Sequence, residues 1–307
     1  MYDTIIIGGG FAGLSAAIYT TRYDLKTLVL AQEMGGAITD SAGIENYPGY
    51  KNISGYDLMK KFEDQARSFG AEINTGKVLK LEKKGKTFKV RMSDQEKEYE
   101  SMSLILALGT ERRKLKAPGA EKYEGKGVHY CATCDGAFYR DKTVAVMGGS
   151  NAAAHSTLLL SRLAKKVYVI YRRQKMRCEP ILHDRIEQKK NVEIIYNTNI
   201  IRVEGDKFVS QVELDKEYQG KKKLMIDGLF VEIGSIPNSE LAKQLKARIN
   251  DMKEIVVDKH CSTNIPGVFA AGDVTNTVLR QGVTAAAQGV IAATSAYQLI
   301  TNRPNIN

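Results

Sequence analysis

Two cysteines separated by two residues are the strongest chemical signal in the sequence. Cys131 and Cys134 are followed directly by Asp135. Two intervening residues bring the sulfur atoms within disulfide distance, so the pair can act as a redox dithiol. Asp135 can donate a proton to a departing thiolate, or it can cap a helix. The spacing therefore predicts thiol-disulfide chemistry at this segment.

Two other interpretations of the cysteine pair stay open at this level. A structural zinc site needs four nitrogen or sulfur ligands, and no second close pair of Cys or His residues accompanies the first. Zinc would require convergence of scattered residues, namely His129, Cys178, His183 and Cys261. The remaining alternative is an inert, buried pair. The pattern favours the redox dithiol, and we predict no metal site.

A glycine-rich turn near the N-terminus has the spacing of a pyrophosphate-binding turn. A β-branched run at 4–7 precedes Gly8, Gly10 and Gly13, and a small apolar segment follows them. The first glycine permits a tight turn, the second lets the backbone approach a pyrophosphate, and the third lets helix pack on strand. The phosphates would then bind at the helix N-terminus. Glu33, near the end of the second predicted strand, is the candidate ribose ligand.

The same pattern of strand, glycine turn and helix occurs a second time. A strand predicted at 143–147 leads into Gly148 and Asn151, and another strand is predicted at 167–171. Basic residues follow it, where the ribose 2′ position of a cofactor would lie: Arg172, Arg173 and Arg177. Arginines there favour the 2′-phosphate of NADP over the hydroxyl of NAD. The alternative is a solvated basic face.

The repeated unit predicts the fold class and the domain organisation. The class is α/β, with two dinucleotide-binding (Rossmann-like, three-layer) domains, the second inserted into the first. The C-terminal strand and uncharged helix need a host sheet, so we assign them to the first domain. The first predicted dinucleotide-binding domain is 1–114 and 242–307. The predicted NAD(P)H-binding-like domain, with the redox cysteines, is 115–241.

Composition excludes several classes of protein. The 307 residues include 45 Lys and Arg, 35 Asp and Glu, and only four Cys, which gives a net charge of +10. Disordered, collagen-like and disulfide-scaffold proteins are excluded. Few cysteines favour a reducing compartment, so we expect a cytoplasmic protein. The uncharged stretches 4–21 and 281–302 are rich in small residues, so we expect no membrane segment. No motif supports nucleic-acid binding through the positive charge.

With these residues in view, the sequence resembles the low-molecular-weight thioredoxin reductases, a branch of the two-domain flavin disulfide reductases. The resemblance covers nearly the whole chain. Its most specific segments are CATCDG at 131–136, GIENYPG at 43–49, and VFAAGDV at 268–274 followed by Arg280 and Gln281. The resemblance implies an FAD-dependent enzyme that passes electrons from NADPH through FAD and a dithiol to the disulfide of thioredoxin or a thioredoxin-like protein. It also implies a homodimer.

The resemblance assigns roles by position. The FAD site of the first domain would include Gly8, Gly10, Gly13, Gly36, Asn46, Asp273, Arg280 and Gln281. Within this set the turn glycines would hold the pyrophosphate, Asp273 would bind the ribityl or phosphate region, and Gln281 would face the isoalloxazine. By the family pattern Cys134 faces the flavin, Cys131 attacks the substrate disulfide, and Asp135 is the acid.

Five positions of the second domain depart from the family pattern. Ser150 stands where a third glycine is usual, and His155 and Ser156 replace two acidic residues. Tyr171 replaces the histidine before the arginine pair, and Glu232 interrupts an apolar strand. Two alternatives follow from these departures. One is the same flavin and dithiol chemistry fed by ferredoxin or reduced deazaflavin, and the other is a flavin redox sensor without NADPH turnover.

Overall fold

Residues 1–93 and 97–302 are described by a computed structural model, in which the chain divides into two units. The first unit comprises Met1–Glu111 and Ile236–Asn307, and the second unit comprises Arg112–Ser235. The chain therefore leaves the first unit once and returns to it. We name these parts the first and second units throughout.

The chain crosses between the units after Glu111 and again after Ser235. Arg113 N donates to Gly234 O at 2.9 Å, and both residues belong to the second unit. Asn238 N donates to Gly109 O at 3.1 Å, which holds that segment in the first unit. These backbone hydrogen bonds lie beside both points where the chain crosses between the units.

The strands are described in chain order. They are β1 (Tyr2–Gly9), β2 (Thr27–Met34), β3 (Glu72–Thr75), β4 (Val78–Lys84), β5 (Thr87–Met92), β6 (Glu98–Leu106), β7 (Thr110–Arg112), β8 (Val128–His129), β9 (Thr143–Gly148), β10 (Lys166–Tyr171), β11 (Val192–Tyr196), β12 (Ile200–Gly205), β13 (Val209–Tyr218), β14 (Lys221–Met225), β15 (Gly228–Glu232), β16 (Ser235–Pro237) and β17 (Val268–Ala270).

The α-helices follow the same order. They are α1 (Phe11–Arg22), α2 (Gly55–Ser68), α3 (Ala132–Asp135), α4 (Asn151–Leu160), α5 (Pro180–Glu187), α6 (Glu240–Gln244) and α7 (Gly282–Thr301). Two short 3-10 helices, Gly36–Asp40 and Gly136–Tyr139, follow β2 and α3. Among the described residues no helix is long and apolar enough to span a bilayer.

The sheet of the first unit combines both parts of the chain. Its order is β3-β2-β1-β6-β5-β4, and β17 pairs with β6 in parallel. The strands β3, β2, β1, β6 and β17 are parallel, whereas β4, β5 and β6 form an antiparallel meander. A β-carbon at Gly289 in α7 would overlap the carbonyl oxygen of Ala12, so α7 packs closely on α1. Small residues in both helices permit this approach.

The second unit has its own parallel sheet, in the order β11-β10-β9-β15-β8. Its central strand β9 is almost entirely buried, as its apolar sequence TVAVMG predicts. The strands β12, β13 and β14 form a separate antiparallel sheet. Each unit therefore has parallel strands connected through helices, which confirms the predicted α/β class with two Rossmann-like domains.

Candidate functional site

The predicted redox cysteines lie at the start of α3 in the second unit. Cys131 and Cys134 are joined by a disulfide, with their Cα atoms 5.3 Å apart. Cys131 is the N-cap residue of α3, and its Sγ accepts a hydrogen bond from Cys134 N at 3.1 Å. The same N–H can stabilise a thiolate on Cys131 when the disulfide is reduced. The disulfide supports the redox interpretation over zinc binding, because the two sulfur atoms are bonded to each other.

A histidine that the sequence suggested only as a distant zinc ligand contacts Asp135. His129 Nδ1 lies 3.0 Å from Asp135 Oδ2, and His129 Nε2 lies 2.6 Å from Tyr139 Oη. The His129 ring also stacks on Phe230, with ring centroids 5.4 Å apart. Sequence reasoning missed this contact. The position of His129 two residues before Cys131 is the signal that could have revealed it.

The glycines of the first turn are required by the backbone. Gly8 has φ of 119°, and a β-carbon there would overlap the carbonyl oxygen of Ala107. A β-carbon at Gly13 would overlap the carbonyl oxygen of Gly8. These contacts fit the roles expected of the first and third glycines, which are a tight turn and close packing of helix on strand.

Gly10 differs from its neighbours because its α-carbon borders accessible space. The nearest described atom to a β-carbon built there is Gly35 O, at 3.8 Å. Gly36 is brought to the same place, since a β-carbon on it would lie 3.7 Å from Gly10 Cα. Gly10 is also the N-cap residue of α1, whose first amide groups point toward this space. Glu33 is exposed near the end of β2.

Two further predicted residues of the first unit contact each other at the start of α7. Asn46 Nδ2 donates to Gln281 Oε1 at 3.2 Å. Gln281 is the N-cap residue of α7, and a capping box with Thr284 fixes it there. The structure therefore brings together a residue from the GIENYPG segment and one from the C-terminal helix, as a shared site requires.

Asp273 and Arg280 lie in the segment that precedes α7. Burial raises the pKa of Asp273 above its usual value, while the positive charge of Arg280 lowers it. The Arg280 guanidinium donates to Glu254 Oε1 at 2.7 Å, and Glu254 is buried. Arg280 is thus anchored by a protein carboxylate. Together with the glycine turn, a partly buried carboxyl beside a helix start fits a dinucleotide such as FAD.

The second glycine turn is lined by residues that depart from the family pattern. Gly148 has φ of 154°, and a β-carbon there would overlap the carbonyl oxygen of Glu232. The ring of Tyr171 packs on Gly149, because a β-carbon at Gly149 would lie 2.5 Å from Tyr171 Cζ. Arg177 Nε donates to Tyr171 Oη at 3.1 Å, and Arg177 N donates to Gly149 O at 2.6 Å. The tyrosine therefore holds Arg177 beside the turn.

The remaining predicted residues of this turn have different surroundings. Asn151, at the start of α4, pairs with Glu179 through Nδ2 to Oε1 at 2.9 Å and through Oδ1 to the backbone N at 2.8 Å. Ser150 is the N-cap residue of α4, and within the described structure its hydroxyl makes no capping hydrogen bond. Arg172 and Arg173 are exposed after β10. An uncapped helix start and adjacent arginines fit a phosphorylated dinucleotide such as NADPH.

Two of the departures form one contact. Ser156 Oγ donates to Glu232 Oε1 at 2.7 Å, which joins α4 to the end of β15. Burial raises the pKa of Glu232, while Ser156 and the charge of Arg112 lower it. Position 156 of α4 thus carries a serine in place of an acidic residue. The carboxyl group that contacts α4 here belongs to Glu232, at the end of β15. Sequence reasoning recorded both substitutions and missed their contact.

Comparison with known proteins places the chain in a family. The model of the family described as Pyridine nucleotide-disulphide oxidoreductase matches residues 2–289. The chain belongs to this family. It is 40% identical to thioredoxin reductase of Listeria monocytogenes over 303 residues, which covers 98% of this chain and 94% of that protein.

Solved structures agree with this assignment. Thioredoxin reductase of Lactococcus lactis matches with a TM-score of 0.94 and 36% identity, over 99% of this chain and 100% of that chain. The thioredoxin reductase of T. acidophilum matches with a TM-score of 0.91 and 33% identity, over 97% and 98%. The resemblance identified in the sequence is confirmed. The chain is an FAD-dependent oxidoreductase, and the expectation of FAD and NADPH as cofactors is confirmed by the family.

Proposed function

We propose that this enzyme passes electrons from NADPH through FAD to the Cys131/Cys134 disulfide, and from the resulting dithiol to thioredoxin or a thioredoxin-like protein. The observation that carries the proposal is the disulfide at the N-cap of α3, followed directly by Asp135. When bound, FAD accepts a hydride from NADPH and supplies an electron pair to a disulfide. The similarity to thioredoxin reductases supports thioredoxin as the substrate.

The proposed FAD site uses the residues that gather in the first unit. Gly8, Gly10 and Gly13 hold the pyrophosphate at the start of α1, because the open face of Gly10 admits close approach. The remaining contacts come from Glu33, Gly36, Asn46, Asp273, Arg280 and Gln281. Asp273 serves the ribityl or phosphate region, and Gln281 faces the isoalloxazine.

The two cysteines have different roles in this proposal. Cys134 receives the electron pair, and the Cys131/Cys134 disulfide becomes a dithiol with uptake of two protons. The Cys131 thiolate, stabilised by Cys134 N–H, attacks one sulfur of the substrate disulfide and forms a mixed disulfide. Asp135 gives its proton to the departing substrate thiolate. The Cys134 thiolate then attacks Cys131 Sγ, which releases the second substrate thiolate and restores the enzyme disulfide.

The proposed NADPH site lies at the second glycine turn. Gly148 and Asn151 shape the turn and the helix start, so the amide groups of α4 can bind the pyrophosphate. Arg172, Arg173 and Arg177 supply positive charge for the 2′-phosphate. The alternative electron donors are ferredoxin and reduced deazaflavin, and the departures at Ser150 and Tyr171 are what leave them in consideration.

Two further parts of the proposal concern the setting of the enzyme. We place it in the cytoplasm, because its four cysteines suit a reducing compartment. We also propose a homodimer, as the family resemblance implies. Light scattering coupled to gel filtration tests the latter, since a monomer of 33.9 kDa and its dimer differ twofold in mass.

The deciding experiment is a coupled assay of the purified protein. NADPH oxidation should depend on added oxidised thioredoxin, and flavin should be released when the protein is denatured. Cys134→Ser and Cys131→Ser should each abolish thioredoxin reduction. Cys178→Ser is the matched control, because Cys178 is a thiol in the same unit outside the disulfide. A wild-type protein that holds flavin yet reduces no thioredoxin with any of the three donors would contradict the proposal.

A further inference from the structure

Three side chains of the second unit form a continuous hydrogen-bonded chain beside the disulfide. Tyr139 Oη lies 2.6 Å from His129 Nε2, and His129 Nδ1 lies 3.0 Å from Asp135 Oδ2. The inner two members are buried, with His129 8% and Tyr139 7% exposed. Asp135 keeps about a third of its side chain exposed, at 32%. The chain thus runs from the core of the unit to the carboxyl group that follows Cys134.

The direction of the hydrogen bonds follows from the chemistry of the partners. Burial raises the pKa of Tyr139 to about 12, with further contributions from the charges of Asp135 and Asp227, so its hydroxyl keeps its proton at neutral pH. The hydroxyl can therefore donate to His129 Nε2, which accepts the hydrogen bond. The other ring nitrogen then carries the proton and donates to Asp135 Oδ2. Tyr139 in this way selects the histidine tautomer that bonds the carboxyl group.

We propose that His129 is a positioning residue for the proton donor Asp135. Its Nδ1–H engages Oδ2, which fixes the rotation of the carboxyl group and leaves Oδ1 to carry the transferable proton. This inference rests on the proposed role of Asp135 as the acid of thiol-disulfide exchange. In that step the S–S bond of the substrate breaks, a new S–S bond forms to Cys131, and the proton on Oδ1 passes to the departing sulfur. Solvent then returns a proton to the exposed carboxylate.

The surroundings of His129 suit a positioning role. Phe230 of β15 stacks on one face of the ring and restricts its motion. Tyr139 contacts its edge, with ring centroids 5.3 Å apart. Charged groups also act on Tyr139: Lys142 Nζ lies 5.4 Å from the ring centre, and Asp135 and Asp227 raise the pKa of the hydroxyl through their charges. These packed elements hold the imidazole in one orientation relative to Asp135.

The test uses leaving groups of different basicity. The enzyme is reduced chemically with dithiothreitol, freed of reductant, and mixed with hydroxyethyl disulfide or with 5,5′-dithiobis(2-nitrobenzoate). An alkyl thiolate is basic and needs protonation as it leaves, whereas the nitrobenzoate thiolate is a good leaving group without it. His129→Leu should slow the reaction with hydroxyethyl disulfide by about tenfold, because a misplaced acid loses much of its effect. The nitrobenzoate reaction should keep its rate.

Two further variants distinguish the loss of a hydrogen bond from misfolding of the protein. Tyr139→Phe retains the ring and removes only the hydroxyl, so it should give a smaller loss, about threefold, confined to hydroxyethyl disulfide. His129→Asn retains an N–H donor toward Asp135 and should recover most of the wild-type rate. His183→Leu is the matched control. His183 also contacts a tyrosine, with Nε2 3.3 Å from Tyr196 Oη, and a glutamate, Glu187. It lies in α5 and not beside the disulfide. It should react as wild type with both disulfides.

Equal slowing of both disulfides, or the same pattern in His183→Leu, would overturn the inference. Failure of His129→Asn to recover the hydroxyethyl disulfide rate would also overturn it. The reaction with these two disulfides uses neither NADPH nor thioredoxin. A failure of the proposed function would therefore be seen in the coupled assay and not in this test.

Discussion

The side chain of Asn46 donates to the side chain of Gln281, across 235 positions of sequence, at 3.2 Å. This hydrogen bond adds to the pairing of β17 with β6 and the packing of α7 on α1, which also connect the two parts of the chain in the first unit. Each residue was predicted separately as part of the flavin site. Their contact explains how the segment before α2 can help to orient the start of α7.

The open face of Gly10 leads to the first prediction. Gly10→Val should fold, because a β-carbon there meets its nearest described atom at 3.8 Å. It should lose FAD, because the valine side chain enters the space of the pyrophosphate. Gly13→Val is the contrasting variant, because its β-carbon would overlap Gly8 O and should destabilise the protein itself. Flavin absorbance and circular dichroism of both proteins check this. Normal flavin content in Gly10→Val would refute it.

The cysteines should be distinguishable by trapping. Cys134→Ser should accumulate a mixed disulfide through Cys131 with a thioredoxin that lacks its resolving cysteine, because Cys131 is the attacking thiolate. Cys131→Ser should trap far less. Non-reducing electrophoresis with mass spectrometry of the linked peptides measures both. Trapping by Cys131→Ser alone would reverse the two roles.

The arginines should determine the choice of nicotinamide donor. Arg172→Ala and Arg173→Ala should each raise the Kd for NADPH by about tenfold or more, because a charge-assisted hydrogen bond contributes about 1.5 to 3 kcal/mol. The Kd for NADH, which lacks the 2′-phosphate, should be nearly unchanged. Lys175→Ala is the control, since Lys175 is an exposed cation of the same loop.

Anaerobic flavin bleaching by each donor completes this test. NADPH should bleach the wild-type flavin much faster than NADH does. If NADPH fails at millimolar concentration while ferredoxin or reduced deazaflavin succeeds, the arginines are a solvated basic face and the second turn does not bind NADPH.

Glu232 should make stability depend on pH in a defined direction. Burial raises its pKa in the folded protein, so the folded state favours the protonated carboxyl, and this stabilisation is lost as pH rises through the folded pKa. Glu232→Gln should therefore raise Tm relative to wild type at pH 8. At pH values below the usual pKa of a glutamate it should change Tm little. Thermal unfolding across this pH range measures the difference.

Glu204 provides a control in which the expected change in Tm has the opposite sign. Its hydrogen bond with Lys223 lowers the pKa of Glu204, so Glu204→Gln should lower Tm slightly at pH 8 rather than raise it. The same shift in both variants would show that the loss of a negative charge, rather than burial, is responsible.

The sequence predicted the glycine turns well because their requirements are local. Gly8 and Gly13 each avoid an overlap with backbone that a β-carbon would create, and such needs appear directly as spacing. The contact of Ser156 with Glu232 spans 76 positions and depends on β15 lying beside β9, which spacing cannot show. The contact of His129 with Asp135 is close in sequence, but it forms only because the chain bends between β8 and α3.

The placement of β17 beside β6 has a consequence for biosynthesis. As the ribosome releases the chain, the whole of the second unit emerges before β17 and α7 are made. The inserted unit can therefore fold first, whereas the end of β6, Leu104–Leu106, must wait for its partner strand β17 until translation is nearly complete. The dithiol region can thus mature before the residues around Gln281 exist, so flavin uptake would be a late event that marks a finished chain.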